Sequence, residues 1–285
     1  MELDHVLSAL GLEGAACTPF PHEEDDGDYD VWKVSHAGRE CVLKPAKEME
    51  LEVYTTFLRD AGPAVPQLYG TARAEGADWL LMEYVPGEDL CRCTREKLIP
   101  ALDALTDLQG RFWGRADLDG AGWTLEQSLT SRTGWKDWLN DPALETAYGA
   151  YLRRYTALPR TLCHDDLLPF NVLCSGDRAV LIDWEYAGIL PYPTSLARLV
   201  AHGEEDENAF FHMTQADKDF AIDYYFEHLL QEKGIKYPEY RRTMDYFLLY
   251  EYCEWVAIGV KYGETNTERY RMYYAKAKEH LKKLK

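Results

Sequence analysis

No apolar run in this 285-residue chain reaches the roughly 18 residues that would predict a membrane-spanning helix. No basic patch is present either. The nearest is a final helical pattern with Lys276, Lys278, Lys282, Lys283 and Lys285, which reads as a solvated surface. Nucleic-acid binders need concentrated positive charge to meet the phosphate backbone. A formal net charge of −18 argues against that class. The seven cysteines include no C-x-x-C pair, and Cys91-x-Cys93 has no second pair to complete a zinc site. They read as reduced thiols. Residues 1–14 are acidic and amphipathic and lack the apolar core of a signal peptide, so the expected location is cytoplasmic. Internal repeats and low-complexity stretches are also missing.

What is there is apolar and aromatic. Hydrophobic residues make up 46%, and Tyr (20) and Trp (8) are numerous, enough for a sizeable core. The acidic balance solubilises the surface and also favours cationic small ligands. Residues 4–12 predict a short helix. Alternation over Tyr29–Val34 and Glu40–Lys44 around a His36–Arg39 turn predicts a hairpin. Residues 47–61 predict a helix with Val53, Tyr54, Phe57 and Ala61 on one face. Leu68–Gly70 and Trp79–Val85 read as strands, and Pro86-Gly87 breaks the chain. Beyond about residue 88, helical patterns cover Ala101–Trp113, 133–156, 216–231, 239–260 and 266–284. Short strands at Thr161–Cys163, Asn171–Cys174 and Ala179–Ile182 interrupt them. The expected fold is α+β with two lobes: a β-rich N-lobe, 1–85, and a larger, mainly helical C-lobe, 86–285.

The strongest chemical signal is His164-Asp165-Asp166-Leu167-Leu168-Pro169-Phe170-Asn171, read as H-x-D-x4-N, followed twelve residues later by Asp183 in Leu181-Ile182-Asp183-Trp184-Glu185. Phosphoryl transfer needs one carboxylate to orient the acceptor hydroxyl and take its proton. It also needs oxygen ligands for Mg²⁺ on the nucleotide phosphates. Asp166 fits the first role, and Asn171 and Asp183 fit the second. Lys44 ends an apolar strand, where its charge would sit beside a ligand. Glu48, Glu50 and Glu52 are candidate partners. Glu50 has Val53, Tyr54 and Phe57 three, four and seven residues on, so it faces inward; Glu52 faces solvent.

These stretches, with Leu81-Met82-Glu83-Tyr84-Val85-Pro86-Gly87-Glu88, resemble the aminoglycoside phosphotransferase and choline kinase family, relatives of the protein kinases. The resemblance implies a protein-kinase-like fold and an ATP (or GTP) and Mg²⁺-dependent kinase acting on a small molecule. It implies that Lys44 touches the α- and β-phosphates, that the Glu83 carbonyl and Val85 N–H hold the adenine edge, and that Ile182 lies beneath the ring. Protein kinase forms are absent: there is no H-R-D, D-F-G or A-P-E. Three departures stand out. The phosphate-covering loop would be the acidic segment 22–28. Ser195-Leu196-Ala197 replaces the family's D-L-A, removing an anchoring carboxylate. Asp165 replaces a glycine or arginine and sets two carboxylates side by side, which opposes ionisation of both.

The acceptor is expected to be cationic. Met244, Phe247, Leu248, Glu251, Trp255 and Ile258 share one helix face, and a carboxylate in an apolar stripe needs a partner. Tyr250-Glu251 is similar in position to the acidic residues with which aminoglycoside kinases hold ammonium groups. Glu251, Glu254 and Trp255 are therefore candidate acceptor residues, an aminocyclitol using the carboxylates and a choline-like ligand the ring. The opposing reading pairs Glu251 internally with an Arg, a Lys or a tyrosine. The competing functions are a choline/ethanolamine-type or other metabolic kinase, and a catalytically silent kinase-fold binding protein.

Overall fold

A computed structural model describes residues 3–21 and 28–284. The acidic segment expected to cover phosphates lies, apart from Asp28, outside the described residues. After α1 (Leu3–Ala9), strands β1 (Ala16–Pro21), β2 (Asp28–His36) and β3 (Arg39–Pro45) run antiparallel. A short helix, α2 (Glu50–Val53), continues as a π-helical turn, Tyr54–Leu58. Strands β4 (Leu68–Ala74) and β5 (Ala77–Glu83) complete a five-stranded sheet of order β1-β2-β3-β5-β4.

Period-two alternation decides what each sheet face does. Cys41, Leu43, Trp79 and Leu81 turn outward and bury Val6 and Leu7 of α1. Lys44, of opposite parity, shares its face with Leu80 and Met82, which pack against α2 and the helical lobe. The lysine thus points toward the second lobe because its apolar neighbours in sequence point away.

The chain crosses at Pro86-Gly87. A Cβ on Gly87 would lie 2.3 Å from the Cys174 carbonyl oxygen, so only glycine fits there. A minimal strand, β6 (Glu88–Asp89), leads into α3 (Arg95–Arg111), α4 (Leu125–Lys136) and α5 (Pro142–Ala157). Next come β7 (Arg160–Cys163), β8 (Val172–Ser175), β9 (Arg178–Leu181) and β10 (Gly188–Pro191). Helices α6 (Pro193–Ala201), α7 (Gln215–Tyr225), α8 (Tyr237–Lys261) and α9 (Glu268–Lys283) finish the lobe. The small sheets pair β10 with β7, and β6-β8-β9.

Three expectations change. The helix expected from Ala101 begins at Arg95, because Thr94 caps it by accepting from the Lys97 N–H and Pro100 sits in its second turn. The continuous helix expected over 133–156 is two helices: Asn140 has φ 50°, and Asp141 then caps α5 with Pro142 at its first turn. Helix α6 was unexpected. Eight of its nine residues are buried, all but Arg198, and at nine residues it is too short and too sealed for a solvent-facing side to mark it. Among the described residues no helix is long and apolar enough to cross a membrane.

Candidate active site

The inward face of β3 delivers Lys44 to two carboxylates. Its Nζ lies 2.9 Å from Glu50 Oε1 and 2.7 Å from Asp183 Oδ1. Glu50 faces inward, as its spacing to Val53, Tyr54 and Phe57 predicts, and is fully buried. Burial opposes the charge on Lys44, but Glu50 and Asp183 more than offset it and raise its pKa. Burial pushes the Glu50 carboxyl up despite Lys44. Burial also works against ionising Asp183, yet the Lys44 ammonium wins and its pKa falls. Asp183 has φ 65°, the left-handed region, which turns its side chain back toward Lys44 two residues after β9.

Between β7 and β8 the chain makes the loop 164–171, tied at several points. The His164 ring packs on Trp184, 4.6 Å between centroids, and its Nε2 lies 2.7 Å from the Ile182 carbonyl. Burial lowers the His164 pKa, so the ring is neutral and Nε2 is the donor. Asn171 Nδ2 donates to the Asp166 carbonyl at 2.8 Å. The Asn171 carbonyl accepts from the Ile182 N–H at 3.0 Å, locking the loop to the Asp183 segment. Ser195, where a carboxylate is missing, accepts from the His164 N–H through Oγ at 2.9 Å. The anchoring bond is therefore kept by a neutral hydroxyl from α6.

The adjacent carboxylates turn to different cations. Asp165, at φ 61°, takes both terminal nitrogens of Arg132, through a close Nη2–Oδ1 contact and Nη1–Oδ2 at 3.2 Å. Arg132 is buried beneath Tyr155 and Tyr250, 4.7 and 4.9 Å from the ring centroids. Asp166 Oδ1 accepts from Arg198 Nε at 3.1 Å and Nη2 at 2.9 Å.

Glu251 requires a correction. It is 2% exposed, and its Oε2 is taken by Arg198 Nη1 at 2.9 Å and His202 Nε2 at 3.2 Å. A buried carboxylate already paired inside the protein cannot face an incoming ligand. Glu254 shares the same guanidinium at 2.8 Å and accepts from the Tyr250 hydroxyl at 2.6 Å. Trp255 stacks on Tyr273 at 5.5 Å and has the Arg269 guanidinium 4.8 Å from its ring, so its faces are committed too. Sequence reasoning missed Arg132 and Arg198. The signal for Arg198 was present: it is the one charged residue in the otherwise apolar run Leu196–Ala201.

On the opposite side, Glu83 ends β5 and its side chain is held by Arg178 at 2.7 and 3.0 Å. Val85 follows it, buried, and Ile182 is partly exposed beneath the interlobe face. Among the described residues no three His, Cys, Asp or Glu side chains gather to hold a metal alone. Asp183 has Oδ1 on Lys44, and Asn171 has its nitrogen on Asp166 O, which leaves one oxygen on each. That sparse oxygen set fits Mg²⁺, which takes most of its ligands from water and phosphate.

A family model described as the phosphotransferase enzyme family matches residues 23–233. Protein LicA of Haemophilus influenzae is 25% identical over 111 residues, 36% of this chain and 36% of that protein, so the match spans about a third of that relative. An aminoglycoside phosphotransferase crystallised as a ternary complex with AMP-PNP and hygromycin B superposes with a TM-score of 0.64 at 15% identity, covering 99% of this chain and 98% of its own. A choline kinase from Cryptosporidium parvum superposes with a TM-score of 0.60 at 14% identity, covering 95% and 90%. At these identities the likeness is one of fold, and the fold is the protein-kinase-like one.

Proposed function

The chain belongs to the phosphotransferase enzyme family, and from that premise we propose that it moves the γ-phosphate of ATP or GTP onto a hydroxyl of a small, amine-bearing acceptor such as an aminoglycoside. The observation that carries this reading is the convergence of Lys44 on Glu50 and Asp183, with the 164–171 loop tied to the Asp183 segment. In this reading Lys44, held by Glu50, meets the α- and β-phosphates. The Glu83 carbonyl and Val85 N–H take the base edge, and Ile182 lies under the ring. Asn171 and Asp183 would hold Mg²⁺, which when bound screens phosphate charge.

Asp166 Oδ2, which accepts no hydrogen bond among the described residues, orients the acceptor hydroxyl. The hydroxyl oxygen bonds to the γ-phosphorus, the bond to the β–γ bridging oxygen breaks, the nucleoside diphosphate leaves, and the hydroxyl proton passes to Asp166. One relative of the same fold, an aminoglycoside phosphotransferase crystallised as two variants, bound to AMP-PNP or to ADP together with hygromycin B, supports a nucleotide donor and a small acceptor. The amine is supported by charge: Asp166, Glu251 and Glu254 surround one guanidinium, leaving an excess of negative charge at the acceptor side.

The test is phosphate transfer from ATP and GTP with Mg²⁺ across a panel of aminoglycosides, choline, ethanolamine and neutral sugars, in wild type and Asp166→Asn. Transfer to amine-bearing alcohols, reduced at least ~100-fold in Asp166→Asn with nucleotide affinity unchanged, is expected. Preference for a neutral acceptor removes the amine. An Asp166→Asn enzyme that keeps more than about a tenth of the wild-type rate removes the base.

A further inference from the structure

Arg198 has no role in the reaction as written, yet it touches the candidate base more closely than any other cation. A guanidinium presents five N–H groups in a rigid fork. Here one edge, Nε and Nη2, closes on a single oxygen, Asp166 Oδ1, at 3.1 and 2.9 Å. The remaining Nη1 reaches back to Glu251 Oε2 at 2.9 Å and Glu254 Oε2 at 2.8 Å. Those two are fixed in turn: Glu251 by His202, whose Nδ1 lies 2.9 Å from the Tyr273 hydroxyl, and Glu254 by Tyr250. Burial opposes the charge on Arg198, and Glu251, Glu254 and Asp166 more than offset it, so the group is cationic.

Gathering four charges in a half-buried site is a poor way to gain stability, because desolvation consumes much of the Coulombic gain. What the arrangement does supply is direction. With Oδ1 gripped along the guanidinium edge, the carboxylate plane is set and Oδ2 is the oxygen left for the acceptor.

We infer that Arg198 is a positioning residue for phosphoryl transfer: it turns Asp166 so that Oδ2 meets the acceptor hydroxyl, and Glu251 and Glu254 act through it by holding the guanidinium from helix α8. The inference rests on the reading of Asp166 as the base. It moves the two glutamates from substrate binding to the support of a catalytic group. It also makes the acceptor's ammonium a competitor of Arg198 for Asp166, so a tight guanidinium keeps Asp166 from being diverted into substrate binding.

The experiment follows hydrolysis of Mg·ATP, with water as acceptor, in wild type, Arg198→Met, Arg198→Lys and Asp166→Asn. Calorimetric affinity for AMP-PNP and thermal unfolding are measured alongside. A misplaced base is expected to lower kcat about 100-fold in Arg198→Met while the ATP KM and AMP-PNP affinity stay at wild-type values. Arg198→Lys should recover about a tenth of the wild-type rate, since a point charge keeps one contact but not the edge. A crystal structure of Arg198→Met with AMP-PNP should show the Asp166 carboxylate rotated, whatever the rate.

Wild-type turnover in Arg198→Met alongside an inactive Asp166→Asn overturns the positioning role alone; an active Asp166→Asn overturns the base and the inference with it. An unrotated Asp166, or a lysine variant no better than methionine, also overturns it. If Arg198→Met does not fold, Glu254→Gln removes one hold on the guanidinium at constant shape. A drop of about threefold or more in kcat at unchanged ATP KM supports the inference, and no change overturns it.

Discussion

Asp165 and Asp166 are neighbours in sequence, and each is met by an arginine from a different helix, but the two pairs differ in kind. Arg132 and Asp165 are nearly sealed, with side chains 5% and 8% exposed, inside a stack of tyrosines. Arg198 and Asp166 are 15% and 27% exposed and open toward the cleft. The first pair is closed on itself: both carboxylate oxygens are taken. The second is left incomplete by one oxygen. A peptide bond therefore separates a carboxylate with both oxygens engaged from one with an oxygen left over. The left-handed backbone of Asp165, at φ 61°, is what turns the two side chains to opposite sides.

Removing Arg132 should break this contrast most forcefully. Arg132→Met strands a nearly buried carboxylate, and losing one partner of such a pair typically costs about 3–5 kcal/mol. Thermal and denaturant unfolding of that variant should show a loss of this size, whereas Asp166→Asn should unfold within about 1 kcal/mol of wild type while losing its turnover. Equal stability of Arg132→Met and wild type would mean the sealed pair is not structural.

Asp183→Ala sharpens the other side. It should leave the loop and its arginines in place and lower AMP-PNP affinity at least ~10-fold in the presence of Mg²⁺, with little change when Mg²⁺ is withheld. Calorimetry under both conditions checks this. Equal affinity in both proteins would remove Asp183 from the metal site.

The smallest effect comes from Asp141, a carboxylate committed to the fold in the way Asp165 is. Burial alone would raise its pKa, but Lys278, the Leu144 N–H and the Tyr274 hydroxyl more than offset that and lower it to about 2. Because the folded value lies below the unfolded one, the stabilisation is complete above about pH 4. It is lost as pH falls toward 2, and solvent screening of this partly wet ion pair holds it to about 1 kcal/mol. Asp141→Asn keeps the cap but should flatten the decline in unfolding free energy between about pH 4 and 2. A slope as steep as that of wild type would show that other carboxylates carry it.

The sequence made some of this legible and hid the rest for physical reasons. Lys44 and Glu50 were readable because strand parity and helix spacing fix which way a side chain points, and both are local rules. The 164–171 loop and Asp183 stood out because phosphoryl transfer would need those residue types at short spacing, and the structure ties the two segments together through the Ile182 N–H and the Asn171 carbonyl. The pairing of Arg132 and Arg198 with the aspartates was not readable, even though Arg198 stood out as a lone charge in an apolar run, since the partners lie 33 and 32 residues apart and no periodicity links them. Glu251 was singled out for the right anomaly, a charge in an apolar stripe, but the choice between an internal and an external cation is made by α6. That helix is short and buried at every residue but Arg198, so no solvent-facing side revealed it. The split at Asn140–Asp141 was hidden because Pro142 was compatible with a helix interior only if its cap went unrecognised.

The order in which the chain leaves the ribosome has a consequence for this architecture. Lys44, Glu50 and Asp183 are all present once residue 183 has emerged, as is the Arg132–Asp165 pair. The guanidinium of Arg198 follows soon after, but the carboxylates that hold it from behind, Glu251 and Glu254, arrive some fifty residues later on α8. Until then Arg198 has Asp166 as its carboxylate and nothing to restrain it on the far side. The Lys44–Glu50–Asp183 cluster can therefore be assembled on a nascent chain well before the hold on Arg198 from α8 is in place.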